Sequence, residues 1–206
     1  MAKISDPQPP GRSATPESAT SGFNGQTDLS RFDNSWYNPG PRWKVVLWFL
    51  TNSLFLNTYL PIPVFVKIRV LRLFGAKIGT GVVIKPAVNI KYPWLLRVGD
   101  HVWIGEQVWI DNLSEVILGD HVCLSQGAML LTGNHDYGKP AFDLTARPIT
   151  LDNGVWIGAR SVVCPGVRCR SHAVLAVNSV ATHSLDAYGI YQGNPAVWVR
   201  QRTIGS

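Results

Sequence analysis

The chain has 206 residues, 46% of them hydrophobic and 16% charged, which suits one folded domain with some overhang and excludes a wholly disordered chain. Residues 1–40 hold three Lys/Arg and four Asp/Glu, whereas residues 41–206 hold sixteen and nine. A positive surplus in the folded part suits nucleic acid, an anionic membrane surface or polyanionic small molecules. The Arg and Lys are dispersed and carry no RNA- or DNA-binding signature, so no nucleic-acid partner is expected. Cys123, Cys164 and Cys169 form no CxxC pair and no zinc-ligand spacing, which argues against a disulfide scaffold or a zinc module.

Residues 1–30 are rich in Pro, Ser, Thr, Gly and Ala and read as a disordered tail. Residues 1–40 lack an apolar h-region, so no signal peptide is expected and the chain reads as cytoplasmic. Residues 31–77 form an N-terminal lead-in and an apolar helical segment. Within it, Val45 to Val66 is free of charge, but Thr51, Asn52, Ser53, Asn57 and Thr58 interrupt it and Pro61 and Pro63 break it. The pattern predicts a helix over 43–60 and a second, short one reaching Phe74. Three readings of this segment stay open, one of them a helix that spans a bilayer, for which the 22 residues from Val45 to Val66 are long enough. In the others it packs on the rest of the fold or on a partner subunit, or residues 43–77 make a peripheral contact with the inner face of the cytoplasmic membrane. Trp43, Trp48 and the basic Lys67, Arg69, Arg72 and Lys77 favour the peripheral contact.

From Ile78 onward the sequence is periodic. An aliphatic residue (once a cysteine) leads every sixth position: Ile78, Ile84 and Ile90, then Val98, Ile104 and Ile110, then Leu118, Leu124 and Leu130. The series resumes at Leu151, Ile157, Val163, Cys169 and Leu175. A period of six is neither helical nor simple strand alternation; three sixes make a triangular coil whose leads stack inside a prism. The prediction is an all-β parallel β-helix over 78–185, with an inserted loop at 131–150 and a C-terminal segment over 186–206.

The register slips in three places: by two residues after Ile90, by two after Ile110, and by a long loop after Leu130. All three slips follow the third strand of their coil, so they should stack at one corner, about 4.8 Å apart. A regular prism has no pocket, and aligned interruptions can build one. They hold Tyr92 and Trp94, then Asp111 and Asn112, then His135. An imidazole near neutrality is a natural general base, which makes His135 the candidate for chemistry against a plain solvent-exposed loop histidine. Tyr92 and Trp94 could stack on a sugar ring or pack on the N-terminal helices. Asn112 could bond an acceptor or stabilise a turn. Asp143 or a backbone carbonyl could orient the imidazole.

The ordered motifs FGAKIG at 74–79, KYPW at 91–94, VWIGE at 102–106, IDNL at 110–113 and TGNHDY at 132–137 resemble those of the colanic-acid biosynthesis acetyltransferases. VWIGA at 155–159, PGV at 165–167 and GNPA at 193–196 continue the resemblance, which covers about residues 30–202. It implies a left-handed β-helix of hexapeptide repeats, a homotrimer with sites between subunits, and transfer of acetyl from acetyl-CoA to a sugar hydroxyl of an exopolysaccharide or lipopolysaccharide precursor. It also implies direct transfer in a ternary complex, with His135 as the base, Asn112 at the acceptor and the Ala159 N–H as oxyanion donor. Gly158, Ala159, Val177, Thr182 and His183 would lie beside acetyl-CoA, and Arg200 near its phosphates. No metal is expected: His101 and His121 stand at equivalent repeat positions and should stack, but no third histidine matches them. A non-catalytic β-helix scaffold, and acetyl transfer to serine or an amino-sugar nitrogen, stay open as alternatives.

Overall fold

The computed structural model describes residues 25–205. Most of the predicted tail, residues 1–24, therefore lies outside the described residues. Its last residues carry structure: Leu29–Arg31 form one 3-10 turn capped by the Asp28 carboxylate, and the Asp28 N–H donates to the Pro140 carbonyl at 2.8 Å.

The period of six folds as five full coils of parallel β-helix and a partial sixth. The first face stacks Lys77–Ile78, Leu96–Val98, Val116–Leu118, Ile149–Leu151 and Arg168–Cys169. The second stacks Val83–Ile84, Trp103–Ile104, Cys123–Leu124, Trp156–Ile157, Val174–Leu175 and Gly189–Gly193. The third stacks Asn89–Ile90, Trp109–Asp111, Met129–Leu131, Val162–Val163 and Val180–Ala181. All fourteen lead residues are buried, and they form the ladders of the core. Each such burial contributes roughly 1.5–3 kcal/mol, which is why the spacing is kept so strictly. Corners turn where the backbone enters the left-handed region, as at His101 and His121 with φ of 56° and 58°.

The first coil has no coil before it, so its outer carbonyls would be orphaned. Two helices, α1 (Arg42–Phe55) and α2 (Val64–Leu73), cap that end. Trp48 Nε1 donates to the Ile90 carbonyl at 2.8 Å, and Arg72 donates to the carbonyls of Ile78 and Gly79 at 2.6 and 3.0 Å. Lys67 is only 1% exposed, and its Nζ donates to the carbonyls of Ile84 and Lys85 at 3.4 and 2.9 Å. Burial holds its ammonium below the usual lysine range. The first helix ends at Phe55 rather than running to residue 60. The N–H groups of Leu56 and Asn57 both fold back to the Asn52 carbonyl, and the Thr58 carbonyl is drawn off to accept from Ala87 of the first coil. Removing the buried donor while keeping the apolar stem, as in Lys67→Met, should destabilise the fold by about 1–3 kcal/mol. A lower urea midpoint at unchanged m-value would report it.

Candidate active site

The three interruptions do share one corner, between the third and first faces. Thr132 Oγ1 donates to the Asp111 carbonyl at 2.9 Å and accepts from the Ser114 N–H at 3.0 Å, tying the third interruption to the second. Asn112 ties the second to the first: its Oδ1 accepts from the Tyr92 N–H at 2.9 Å and its Nδ2 donates to the Tyr92 carbonyl at 2.6 Å. With Asn112 fully buried and its amide bonded at both ends, the side chain faces the scaffold and not the open side of the corner. The expected contact with an acceptor is thus replaced by a clamp on the neighbouring bulge. Asn112→Ala should accordingly lower stability by about 1–3 kcal/mol, because two part-buried main-chain groups of Tyr92 lose their partners; thermal melting of the variant checks this.

Trp94 is also engaged. Its Nε1 donates to the Pro39 carbonyl at 2.7 Å, Lys44 Nζ lies 4.4 Å from its ring centroid, and the Tyr92 ring stands 5.2 Å away. It packs on the lead-in instead of offering a free stacking face. Tyr92 flanks a cavity of about 290 Å³ between α1 and the Lys91–Asp111 ion pair, whose separation is 2.9 Å. Burial, reinforced by the Asp111 charge, pushes the Tyr92 phenol up.

The 131–150 insertion is an arm and not a plain loop: Gly133–His135 and Leu144–Ala146 pair antiparallel, with His135 opposite Leu144. At its tip-ward end the His135 ring stacks on Phe142, centroids 4.4 Å apart and planes within 10°, and His135 Nδ1 lies 2.9 Å from the Phe142 carbonyl oxygen. A carbonyl can only accept, so Nδ1 carries the proton and Nε2 keeps its lone pair. Among the described residues Nε2 has no partner. Asp143 does not touch the imidazole; its carboxylate bonds Lys139 Nζ at 3.1 Å. Of the two orienting groups the sequence allowed, the carbonyl is the one used. Phe32 from the lead-in comes within 5.7 Å of the His135 ring, and Tyr37 Oη donates to the Leu113 carbonyl at 2.8 Å. The lead-in therefore runs along the interrupted corner, which no sequence signal announced.

A groove of about 640 Å³ lies elsewhere, at the corner between the second and third faces. Gly158, Ala159, Val177 and Arg200 line it together, as do Trp156 and Arg202, which sequence reasoning missed. The signal for Trp156 was legible: a large aromatic at an outward position of a repeat, with its Nε1 now bonded to Ser125 Oγ at 2.9 Å. Gly158 has to be glycine, since a Cβ there would stand 2.6 Å from the Val177 nitrogen of the next coil. The Ala159 N–H makes no hydrogen bond among the described residues. The C-terminal hairpin of Gly189–Gly193 with Ala196–Gln201 brings Arg200 to the rim, while Arg202 bonds the carbonyls of Gly154 and His172 at 3.0 and 3.1 Å.

Thr182 and His183 do not line this groove. They follow the third-face strand Val180–Ala181, so they lie at the same corner as the arm, with Thr182 Oγ1 2.9 Å from His183 Nδ1. In one chain, then, His135, Thr182 and His183 share one corner of the prism and the groove occupies another. The cysteines offer no nucleophile: burial pushes Cys169 up to about 12 and raises Cys123 and Cys164 as well. The His101 and His121 rings stack at 5.2 Å as the repeat predicts, on turn residues.

No protein-family model matches the chain. The colanic acid biosynthesis acetyltransferase WcaF of Escherichia coli (strain K12) is 37% identical to it over 176 residues, covering 85% of this chain and 97% of that protein. The crystal structure of a hexapeptide-repeat-containing acetyltransferase from Vibrio cholerae superposes with a TM-score of 0.66 at 25% identity, over 72% of this chain and 85% of the other. An acetyl-CoA complex of the same Vibrio cholerae protein, 24% identical, superposes with a TM-score of 0.69 over 79% of this chain and 87% of the other, a likeness of fold.

Proposed function

The chain belongs to the hexapeptide-repeat acetyltransferases, as a relative of the colanic-acid biosynthesis enzymes, and on that premise we propose that it moves acetyl from acetyl-CoA to a sugar hydroxyl. The acceptor is an intermediate of exopolysaccharide or lipopolysaccharide assembly, as the names of its relatives suggest. The observation that carries this reading is the imidazole of His135, fixed by the Phe142 carbonyl so that Nε2 is free to accept a proton.

His135 Nε2 takes the proton of the sugar hydroxyl as that oxygen attacks the thioester carbonyl. The carbonyl oxygen gains negative charge, and the unbonded N–H of Ala159 is the donor preorganised for it. The C–S bond then breaks, CoA leaves as the thiol after receiving the proton from His135, and the acetyl ester remains on the sugar. No acyl-enzyme is needed, in keeping with the raised thiols. The groove suits the co-substrate chemically, with an apolar floor for the pantetheine arm and Arg200 at its rim for phosphate.

Because the base and the groove occupy different corners of one prism, a complete site needs a second copy of the chain. A homotrimer supplies it: the arm corner of one protomer, with His135, Thr182 and His183, faces the groove of the next. Acceptor-dependent release of free thiol from acetyl-CoA, measured over a panel of sugars, tests the activity; no release with any acceptor and no acetyl-CoA binding would instead favour a scaffold. Asp143→Asn should leave the rate within about two-fold, since its carboxylate serves Lys139 and not the base; a loss near that of a base deletion would assign Asp143 the orienting role.

A further inference from the structure

The end cap has a second apolar face that nothing among the described residues covers. Trp48 and Asn52 of α1 and Lys67 and Leu71 of α2 turn inward onto the first coil. Opposite them, Trp43, Val46, Leu47, Leu50 and Leu54 form the outward stripe of α1, with Leu50 and Leu54 at 55% and 62% exposure. Phe65 and Leu73 extend it on α2, Leu73 at 82% exposure. The hydroxyls within this helix are folded away, Thr51 onto the Leu47 carbonyl at 2.8 Å and Ser53 onto the Phe49 carbonyl at 3.0 Å. That arrangement suits a helix whose surroundings offer few hydrogen bonds.

Charge says what covers the face. No Asp or Glu occurs between Asp33 and Asp100, while nine Lys and Arg do. Five of these, Arg42, Arg69, Arg72, Lys77 and Lys85, are exposed and form no ion pair among the described residues. Arg69 lies over the Phe65 ring at 5.5 Å, so cation and apolar surface are interleaved. A surface this rich in unpaired Lys and Arg would repel a second copy of itself, whereas it complements anionic headgroups around a shallowly buried helix. Spanning is excluded for this element: α1 has 14 residues, about 21 Å of helix, against a hydrocarbon core of roughly 30 Å.

We infer that the α1–α2 cap docks the protein on an anionic lipid bilayer, with the α1 stripe at the acyl boundary and the basic rim at the headgroups. All three caps of a trimer would face the same way along its axis, so weak single contacts would combine. The test is co-sedimentation of the full chain with vesicles of phosphatidylglycerol and phosphatidylethanolamine, and with phosphatidylcholine vesicles as the neutral reference. Wild type should sediment with the anionic vesicles at least ten-fold more than with neutral ones, and less as salt rises. Leu50→Glu/Leu54→Glu should lower that binding at least ten-fold, with thermal melting and thiol release on a soluble acceptor unchanged. Wild type that ignores anionic vesicles, or a folded double variant that binds as well as wild type, would overturn docking. So would wild type that self-associates through this face, seen as a larger assembly that the double variant dissolves, without vesicle binding. Sedimentation needs no turnover, so a failed acetyl-transfer assay leaves this outcome readable.

Discussion

His135→Ala is expected to cut acetyl transfer by about 10²–10⁴-fold while acetyl-CoA still binds and the coils stay folded. The selectivity of the loss follows from where the residue sits. The imidazole lies on an arm that hangs from the prism, half-buried against Phe142, and no lead residue of the core touches it as a partner in the hydrogen-bond ladder. Removing the ring therefore leaves the fourteen buried leads in place. Steady-state thiol release, with binding of acetyl-CoA measured separately by calorimetry, distinguishes chemistry from affinity. His135→Gln keeps a hydrogen-bonding side chain but supplies no base, and it should be as slow as the alanine variant. Full activity in both variants would remove His135 from the mechanism.

Mixing two inactive proteins should restore activity. Val177→Trp fills the groove from an exposed position and should abolish acetyl-CoA binding while leaving the arm intact. His135→Ala does the reverse. Unfolded together and refolded at equal amounts, the two chains form mixed trimers in which about one site in four joins an intact arm to an intact groove, if each site spans two protomers. Activity should then rise from near zero to about a quarter of wild type. If arm and groove of the same chain formed the site, every site would carry one lesion and the mixture would stay inactive. The corners occupied by His135 and by Gly158, Ala159 and Val177 predict the first outcome.

Much of this was legible along the chain. The repeat set the fold class because a six-residue period buries one lead per strand, and every lead from Ile78 to Leu175 is in the core. The alignment of the three interruptions followed from counting faces, and Thr132 and Asn112 now supply the bonds that hold them in register. Gly158 was marked by the motif and is explained by the closeness of the next coil.

Periodicity by itself thus determined the prism, its interrupted corner and the candidacy of His135, because those depend on which side chains must be hidden from water and at what spacing. Tertiary structure alone decided the rest. The orienting group for His135 is a main-chain carbonyl, which every residue carries and no sequence can advertise. The role of Asn112 turned on whether its amide met solvent or the Tyr92 backbone, a matter of burial and not of type. The early end of α1 came with the Thr58 carbonyl being drawn to Ala87 of the first coil, a non-local competition that local pattern does not see. That base and groove stand on different corners is likewise a fact of winding, since neighbours in the sequence are separated by a face and residues about twenty apart are stacked.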